Sequence, residues 1–247
     1  MGSLFNEGKL QRFTTVESTN EILKKSLSTG VKEGTVVSAL EQTSGRGQFG
    51  RNWQSDFGQN LLLSLLLKPV FLLPEQSFLL NMSVCLALKD VVDHISDNIR
   101  IKWPNDLLHK TDKLAGILIE NQLSGQRWES AVVGIGLNVN QLEFHYPKTS
   151  SIRLISGEAQ KLARWQSALL QALESRYLAL QTMQDFTELS KEYQEALYGY
   201  HQPVMAEVEG RAVKVQIKTV AQNGLVALRG AGHAGRWYRY DQLRFKR

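Results

Sequence analysis

Ser44-Gly45-Arg46-Gly47-Gln48-Phe49-Gly50-Arg51-Asn52-Trp53 places three glycines, Gly45, Gly47 and Gly50, at the spacing GxGxxG. In a dinucleotide-binding unit such glycines follow a strand and open a helix whose N-terminus holds pyrophosphate, with an acid about twenty residues on for the ribose. Here Arg51-Asn52-Trp53-Gln54-Ser55-Asp56-Phe57-Gly58 follows without helical period and leads into another apolar stretch. The dinucleotide reading fails on context. No Walker A sequence occurs and no HRD or DFG sequence follows, so P-loop and kinase chemistry are excluded too. What remains is a polar loop between two strands that carries two guanidiniums, an amide and an indole. Glycines let the backbone fold closely over a small ligand, arginines grip phosphate or carboxylate oxygens in pairs, and Trp53 offers a stacking face for a base. An ordinary surface turn is the competing reading.

On either side of this loop the pattern alternates between helix and strand. Glu17 to Thr29 reads as a helix with Ser18 at its N-cap, Ile22, Leu23 and Leu27 on one face and Gly30 past its end. Gly34 to Glu41 reads as a strand that runs into the loop, and Leu61 to Leu67 as a strand buried on both faces, broken only by Ser64. Glu75 to Ile95 is the clearest helix, with Phe78, Met82, Cys85, Leu88, Val92 and Ile95 stepping by three or four. Ile99 to Lys102 is a short strand cut off by Pro104, and Leu114 to Glu120 and Ser130 to Val139 form an adjacent pair of strands. Amphipathic stretches follow at Glu158 to Gln181 and Phe186 to Ala196. Beyond Tyr198-Gly199 the texture changes to short strands at His201 to Val208, Arg211 to Val220, Leu225 to Arg229 and Arg236 to Tyr240, with Asn223-Gly224 as a hairpin turn. The expected architecture is a mixed α/β (α+β) domain over 1–198 and a small all-β domain over 199–247.

The bulk composition narrows the function classes. With 43% hydrophobic and 21% charged residues among 247, the chain is an ordinary globular protein. No apolar run is long enough to span a bilayer, and Met1 to Gln11 has no signal-peptide pattern, so a cytoplasmic location is expected. A single cysteine, Cys85, excludes an intramolecular disulfide framework and a multi-thiolate zinc site, and its apolar neighbours mark it as a packing residue. His94, His109, His145, His201 and His233 show no paired metal-ligand spacing. The net charge is +5, and the end of the chain is denser, with Arg229, Arg236, Arg239, Arg244, Lys246 and Arg247 against Asp241. That segment reads either as a solvated basic face or as a dock for an acidic partner; nucleic acid ranks last, since no binding signature accompanies the charge.

Gly45-Arg46-Gly47-Gln48-x-Gly50-Arg51-x-Trp53 resembles the signature of the biotin–protein ligases, and further motifs follow the family's order. Glu17-Ser18-Thr19-Asn20 resembles the upstream biotin-contacting motif, Lys102-Trp103-Pro104-Asn105-Asp106 the central one, Lys113-Leu114-Ala115-Gly116-Ile117-Leu118 the lysine motif, and Gly134-Ile135-Gly136-Leu137-Asn138-Val139-Asn140 the last. The resemblance spans residues 17–140, and it implies that the small β domain is SH3-like. It also implies a reaction in two steps: biotin and ATP give biotinyl-5′-adenylate and pyrophosphate, and a lysine of a biotin carboxyl carrier protein then takes the biotinyl group.

By the same resemblance, biotin is held by Ser18, Thr19, Asn20, Gln42, Gly45, Arg46, Lys113, Gly116, Gly134 and Gly136. ATP is held by Arg46, Gln48, Arg51, Trp53, Lys102, Asn105, Asp106, Lys113 and Asn138. Lys113 and Arg46 are the expected catalytic residues, because fixed cations offset repulsion between a carboxylate and a phosphate. The glycines are expected to let the ligand's rings approach the backbone, and the loop to act as a lid that keeps water from the mixed anhydride. Magnesium is expected to arrive with the triphosphate and to need few protein ligands. Gln48 departs from relatives that carry arginine there, which leaves one charge fewer to retain the adenylate. Some members repress transcription through an N-terminal winged helix-turn-helix; only sixteen residues precede Glu17, so no DNA binding is expected. Relatives are monomers or homodimers, and both remain open. The nearest alternative is a lipoate or octanoate–protein ligase of the same fold, and a module that binds the adenylate without turnover is the alternative from another class.

Overall fold

The computed structural model describes residues 3–125, 127–230 and 232–246; Arg247 of the basic terminal segment lies outside them. Seven strands form the main sheet: β1 (Leu10–Val16), β2 (Val36–Gln42), β3 (Leu61–Leu67), β4 (Ile99–Lys102), β5 (Asp106–His109), β6 (Asp112–Ser124) and β7 (Arg127–Leu137). Their order across the sheet is β1-β2-β3-β7-β6-β5-β4, with β1 and β2 parallel and every other pair antiparallel. The helices are α1 (Thr19–Leu27), α2 (Ser77–Val92), α3 (Ile152–Ser156), α4 (Leu162–Thr182) and α5 (Thr187–Glu195). A second sheet of β8 (Val204–Val208), β9 (Arg211–Val220), β10 (Val226–Arg229), β11 (Trp237–Tyr238) and β12 (Leu243–Phe245) follows in the order β11-β10-β9-β8-β12. No described helix is long and apolar enough to cross a membrane.

Strand alternation divides the main sheet into two faces. Leu61, Leu63, Leu65 and Leu67 of β3 and Ala131, Val133, Ile135 and Leu137 of β7 join the large core with α2, α4 and α5. The other face carries α1, whose Leu23 packs on Val37, Leu66 and Val132. α2 is buried nearly all round because the sheet lies on one side and the later helices on the other, so its sequence shows more than the single stripe expected of a surface helix. Arg176 of α4 takes both Asp90 of α2 and Glu192 of α5 through paired hydrogen bonds, which fastens this layer. Cys85 sits within it, fully buried, and burial pushes its thiol pKa far above the usual value. Native protein is therefore expected to leave a thiol reagent unreacted, and guanidinium-unfolded protein to react at one thiol. Reaction of the native protein at the unfolded rate would show Cys85 to be open to solvent.

Several elements depart from the sequence reading. The chain reverses at Trp103-Pro104-Asn105 and returns as β5, so Asp106 begins a new strand. The stretch read as one helix from Glu158 starts at Leu162, because Gly157 caps α3 in a left-handed conformation (φ 79°) and a connection intervenes. β1 and β12 were not apparent in the sequence. Ser18 occupies the N-cap of α1 without a capping side-chain bond. In the terminal segment, Arg236 pairs with Glu209, Arg239 with Asp241 and Lys246 with Glu207, all partly exposed. This face is interleaved with acids, and each exposed pair adds little stability.

The second sheet is tied to the first at the turn Ala221 to Leu225. Phe78 N–H donates to Gln222 O at 3.0 Å, and Trp103 Nε1 donates to Gly224 O at 3.2 Å. Gly224 has φ +86°, and a Cβ there would lie 2.7 Å from the Phe78 ring, so the turn requires glycine twice over.

Candidate active site

On the face that carries α1, register brings small residues into rows. Leu62 of β3 opposes Gly136 of β7, Gly136 opposes Gly116 of β6, and Gly116 opposes Asp106 of β5. In the next row Ser64 opposes Gly134, which opposes Leu118. Missing side chains at three adjacent positions sink a trough into the sheet. It forms the floor of a cavity of about 1050 Å³, walled by α1, the glycine-rich loop, residues 144–149 and the end of the second sheet around Tyr240 to Lys246.

The loop is a closed hairpin. Trp53 N–H donates to Gly45 O at 2.9 Å, Gly47 N–H to Arg51 O at 2.6 Å, and Arg46 bridges to Asn52. Its tip holds Phe49 in a left-handed conformation (φ 60°), with the ring 4.7 Å from that of Tyr240. Gly45 must be glycine because a Cβ would lie 2.5 Å from Trp53 O. The hairpin lays the Trp53 indole in the trough, where a Cβ at Gly136 would meet it at 2.3 Å and one at Gly116 at 3.1 Å.

Three cations of the site, Lys113, Lys102 and Arg46, face a carboxylate. Lys113 Nζ lies 2.6 Å from Asp106 Oδ1 and 5.4 Å from the Trp53 ring centroid, and Lys102 Nζ lies 3.7 Å from Asp106 Oδ2. Arg46 Nη1 lies 2.6 Å from Glu21 Oε1, which also takes Lys24 at 3.0 Å. The Lys24 hydrogen bond, helped by Arg46, holds the Glu21 carboxyl below its usual pKa, so Glu21 is ionised at neutral pH. At the biotin-motif end, Thr19 N–H and Oγ1 reach Gln42 Oε1 at 2.7 and 3.0 Å. Asn20 lies over Gly134, where a Cβ would sit 2.2 Å from its Oδ1.

A model of the biotin/lipoate A/B protein ligase family matches residues 12–138. The chain belongs to that family. Among curated relatives, it is 32% identical over 167 residues to a bifunctional ligase/repressor BirA of Bacillus spizizenii, covering 66% of this chain and 51% of the relative. It is 33% identical over 167 residues to a biotin–(acetyl-CoA-carboxylase) ligase of Mycobacterium tuberculosis, covering 65% of this chain and 61% of that one. The chain thus spans about half the length of that BirA. Among solved structures, a biotin protein ligase from Aquifex aeolicus in complex with biotin and ATP superposes with TM-score 0.79 at 23% identity, over 96% of this chain and 98% of that one. That likeness shows a shared fold: the mixed α/β ligase domain with its all-β appendage.

The biotin/lipoate ligase fold brings Ser18, Thr19, Asn20, Gln42, Arg46, Gln48, Arg51 and Trp53 to one cavity with Lys102, Asn105, Asp106, Lys113, Gly116, Gly134, Gly136 and Asn138. Gly45 lines a smaller adjoining recess instead. In this structure the side chains that lie close over these glycines are Trp53, at Gly136 and Gly116, and Asn20, at Gly134. Two amides expected at the nucleotide are engaged within the chain: Asn138 Nδ2 donates to Ser150 O at 3.0 Å, and Asn105 Nδ2 donates to Ile117 O at 2.5 Å. Sequence reasoning missed Glu21, Glu120 and Ser64, as well as the wall supplied by Tyr240. Of these only Ser64 left a mark, as the one polar residue in the apolar run 61–67.

Proposed function

We propose that this chain activates biotin with ATP and transfers the biotinyl group to a lysine of a biotin carboxyl carrier protein. The observation that carries the reading is a single trough in which Arg46, beside α1, and Lys113, beside β5, each hold a carboxylate that a ligand anion can replace. Two anions, a biotin carboxylate and the α-phosphate, repel each other in water; fixed cations between them offset that repulsion and stabilise charge that grows on the phosphorus oxygens. The carboxylate oxygen bonds to the α-phosphorus as its bond to the β-phosphate oxygen breaks, and pyrophosphate leaves. The carrier lysine, as free amine, then attacks the activated carbonyl; its nitrogen loses a proton, and AMP leaves.

In this reading Ser18, Thr19, Asn20 and Gln42 hold the ureido ring, while Gln48, Arg51, Trp53 and Lys102 serve the nucleotide. Asn105, Asp106 and Asn138 keep β5 and the Lys113 backbone in place. Magnesium would come with the triphosphate and need few protein ligands; Asp106, which lines the cavity, would be an acid available to it. A reducing cytoplasm suits a chain whose one cysteine is buried.

Biotin-dependent exchange of pyrophosphate into ATP tests the first step, and mass spectrometry of a carrier protein incubated with equal biotin and lipoate tests the second. Exchange that ignores biotin, or a lipoylated product, overturns the reading. For Trp53→Ala, the ATP concentration at half-maximal rate is expected to rise about tenfold, toward the lower end of ~1–3 kcal/mol for a stacked base. The requirement for biotin should move less. The reverse pattern assigns Trp53 to the biotin side.

A further inference from the structure

We infer that Ser64 and Glu120, neither of which lines the cavity, are positioning residues that fix which way Thr19 and Asn20 present donors and acceptors to the ligand's ring. The inference rests on the proposed biotin site.

Ser64 is fully buried at the centre of β3, among leucines. A buried hydroxyl needs a partner, and this one has two: Asn20 Oδ1 at 2.5 Å and Thr19 Oγ1 at 2.7 Å. One hydroxyl carries one hydrogen, so it can donate to only one of them. The far end of the network decides which. Lys24 Nζ only donates, and Glu120, when ionised, only accepts; its Oε1 takes Lys24 at 2.9 Å and its Oε2 takes Asn20 Nδ2 at 2.8 Å. With its nitrogen turned to Glu120, Asn20 meets Ser64 through a carbonyl oxygen, which only accepts. Ser64 therefore donates to Asn20, and the one hydroxyl hydrogen of Thr19 goes to Ser64 Oγ at 2.7 Å or to Gln42 Oε1 at 3.0 Å. Either way that hydrogen is spent inside the network, so Thr19 Oγ1 is left with lone pairs for the cavity.

A cyclic urea carries N–H donors on either side of its carbonyl, and an acceptor locked at Thr19 selects such an edge. The same line continues from Lys24 to Glu21 and on to Arg46. One directed chain of hydrogen bonds thus joins the ring-recognising end of the site to a cation of its reacting end.

The test uses the whole chain and measures calorimetric binding of biotin and of biotin methylated at a ureido nitrogen. Ser64→Ala and Glu120→Gln are each expected to weaken biotin about tenfold and to shrink the penalty for methylation about fivefold, as a lost direction at Thr19 requires. The Michaelis constant for ATP should stay within about twofold in pyrophosphate exchange at saturating biotin. A side chain that only supports the fold would not change discrimination between the two rings. Glu120 lies partly at the surface, so Glu120→Gln decides the matter should Ser64→Ala fail to fold. Biotin binding by the unaltered chain with full discrimination kept in the variants overturns the inference alone. No biotin binding by the unaltered chain overturns the function reading, and this inference falls with it.

Discussion

Lys113→Ala and Arg46→Ala are each expected to slow adenylate formation by about a hundredfold or more, equivalent to ~2.7 kcal/mol on the barrier. The magnitude follows from where the groups sit. Lys113 is three-quarters buried, against Asp106 and the Trp53 ring, so its charge acts in a medium far less screening than water. Removing it takes the nearest ammonium, at 2.6 Å, from Asp106 and adds repulsion where a carboxylate and a phosphate must meet. Arg46 is half exposed, and its loss also leaves Glu21, a carboxylate at the same wall, with Lys24 but without the guanidinium. Single-turnover formation of labelled biotinyl-adenylate from saturating ATP and biotin measures the effect. Rates within a few-fold of the unaltered chain in both variants would remove these residues from the chemistry.

Gly134→Ala is expected to reduce biotin affinity by about two orders of magnitude and to lower stability by ~1–3 kcal/mol, as an overpacked core position does. The new methyl would stand 2.2 Å from Asn20 Oδ1 and 2.9 Å from its Cγ. A flexible side chain could swing aside, but the Asn20 amide is held at both ends, by Ser64 and by Glu120. Moving it breaks a buried network, and α1 must shift or Asn20 must leave its place. Equilibrium binding of biotin together with a urea melt separates the two effects. Unchanged affinity would mean that the ligand does not depend on Asn20.

The legible part of this fold was whatever follows from local pattern. Leu61 to Leu67 is buried at every position, as an unbroken apolar strand should be, and Asn223-Gly224 turns β9 into β10. The dinucleotide pattern at Gly45 was rightly rejected, since the loop closes on itself and Leu61 begins a strand. β5 was hidden because proline reads as a breaker, while here it sits in the reversal that starts a new strand. The period-two glycines Gly134 and Gly136 marked one face of β7, but what lies over them is set by strands and loops remote in sequence. Asn20 and Trp53 are 114 and 83 residues before those glycines, and no local pattern connects them. The carboxylates opposite Arg46 and Lys24 were illegible for the same reason: Glu21 and Glu120 look like solvated charges until the sheet aligns them, and Asp106, expected at the nucleotide, gave no sign in the sequence of its pairing with Lys113.

The turn that closes on Trp103 and Phe78 bears on any attempt to recombine this chain with its relatives. A chimaera that kept the first sheet and borrowed the second from another source would have to reproduce a glycine in a left-handed bend and a carbonyl aimed at the Trp103 indole. Without them, the backbone just ahead of Asn105 and Asp106 would lose its anchor, and the acid that faces Lys113 would drift with it. The seam between the two halves is therefore a poor place to swap modules, although the chain's texture changes there.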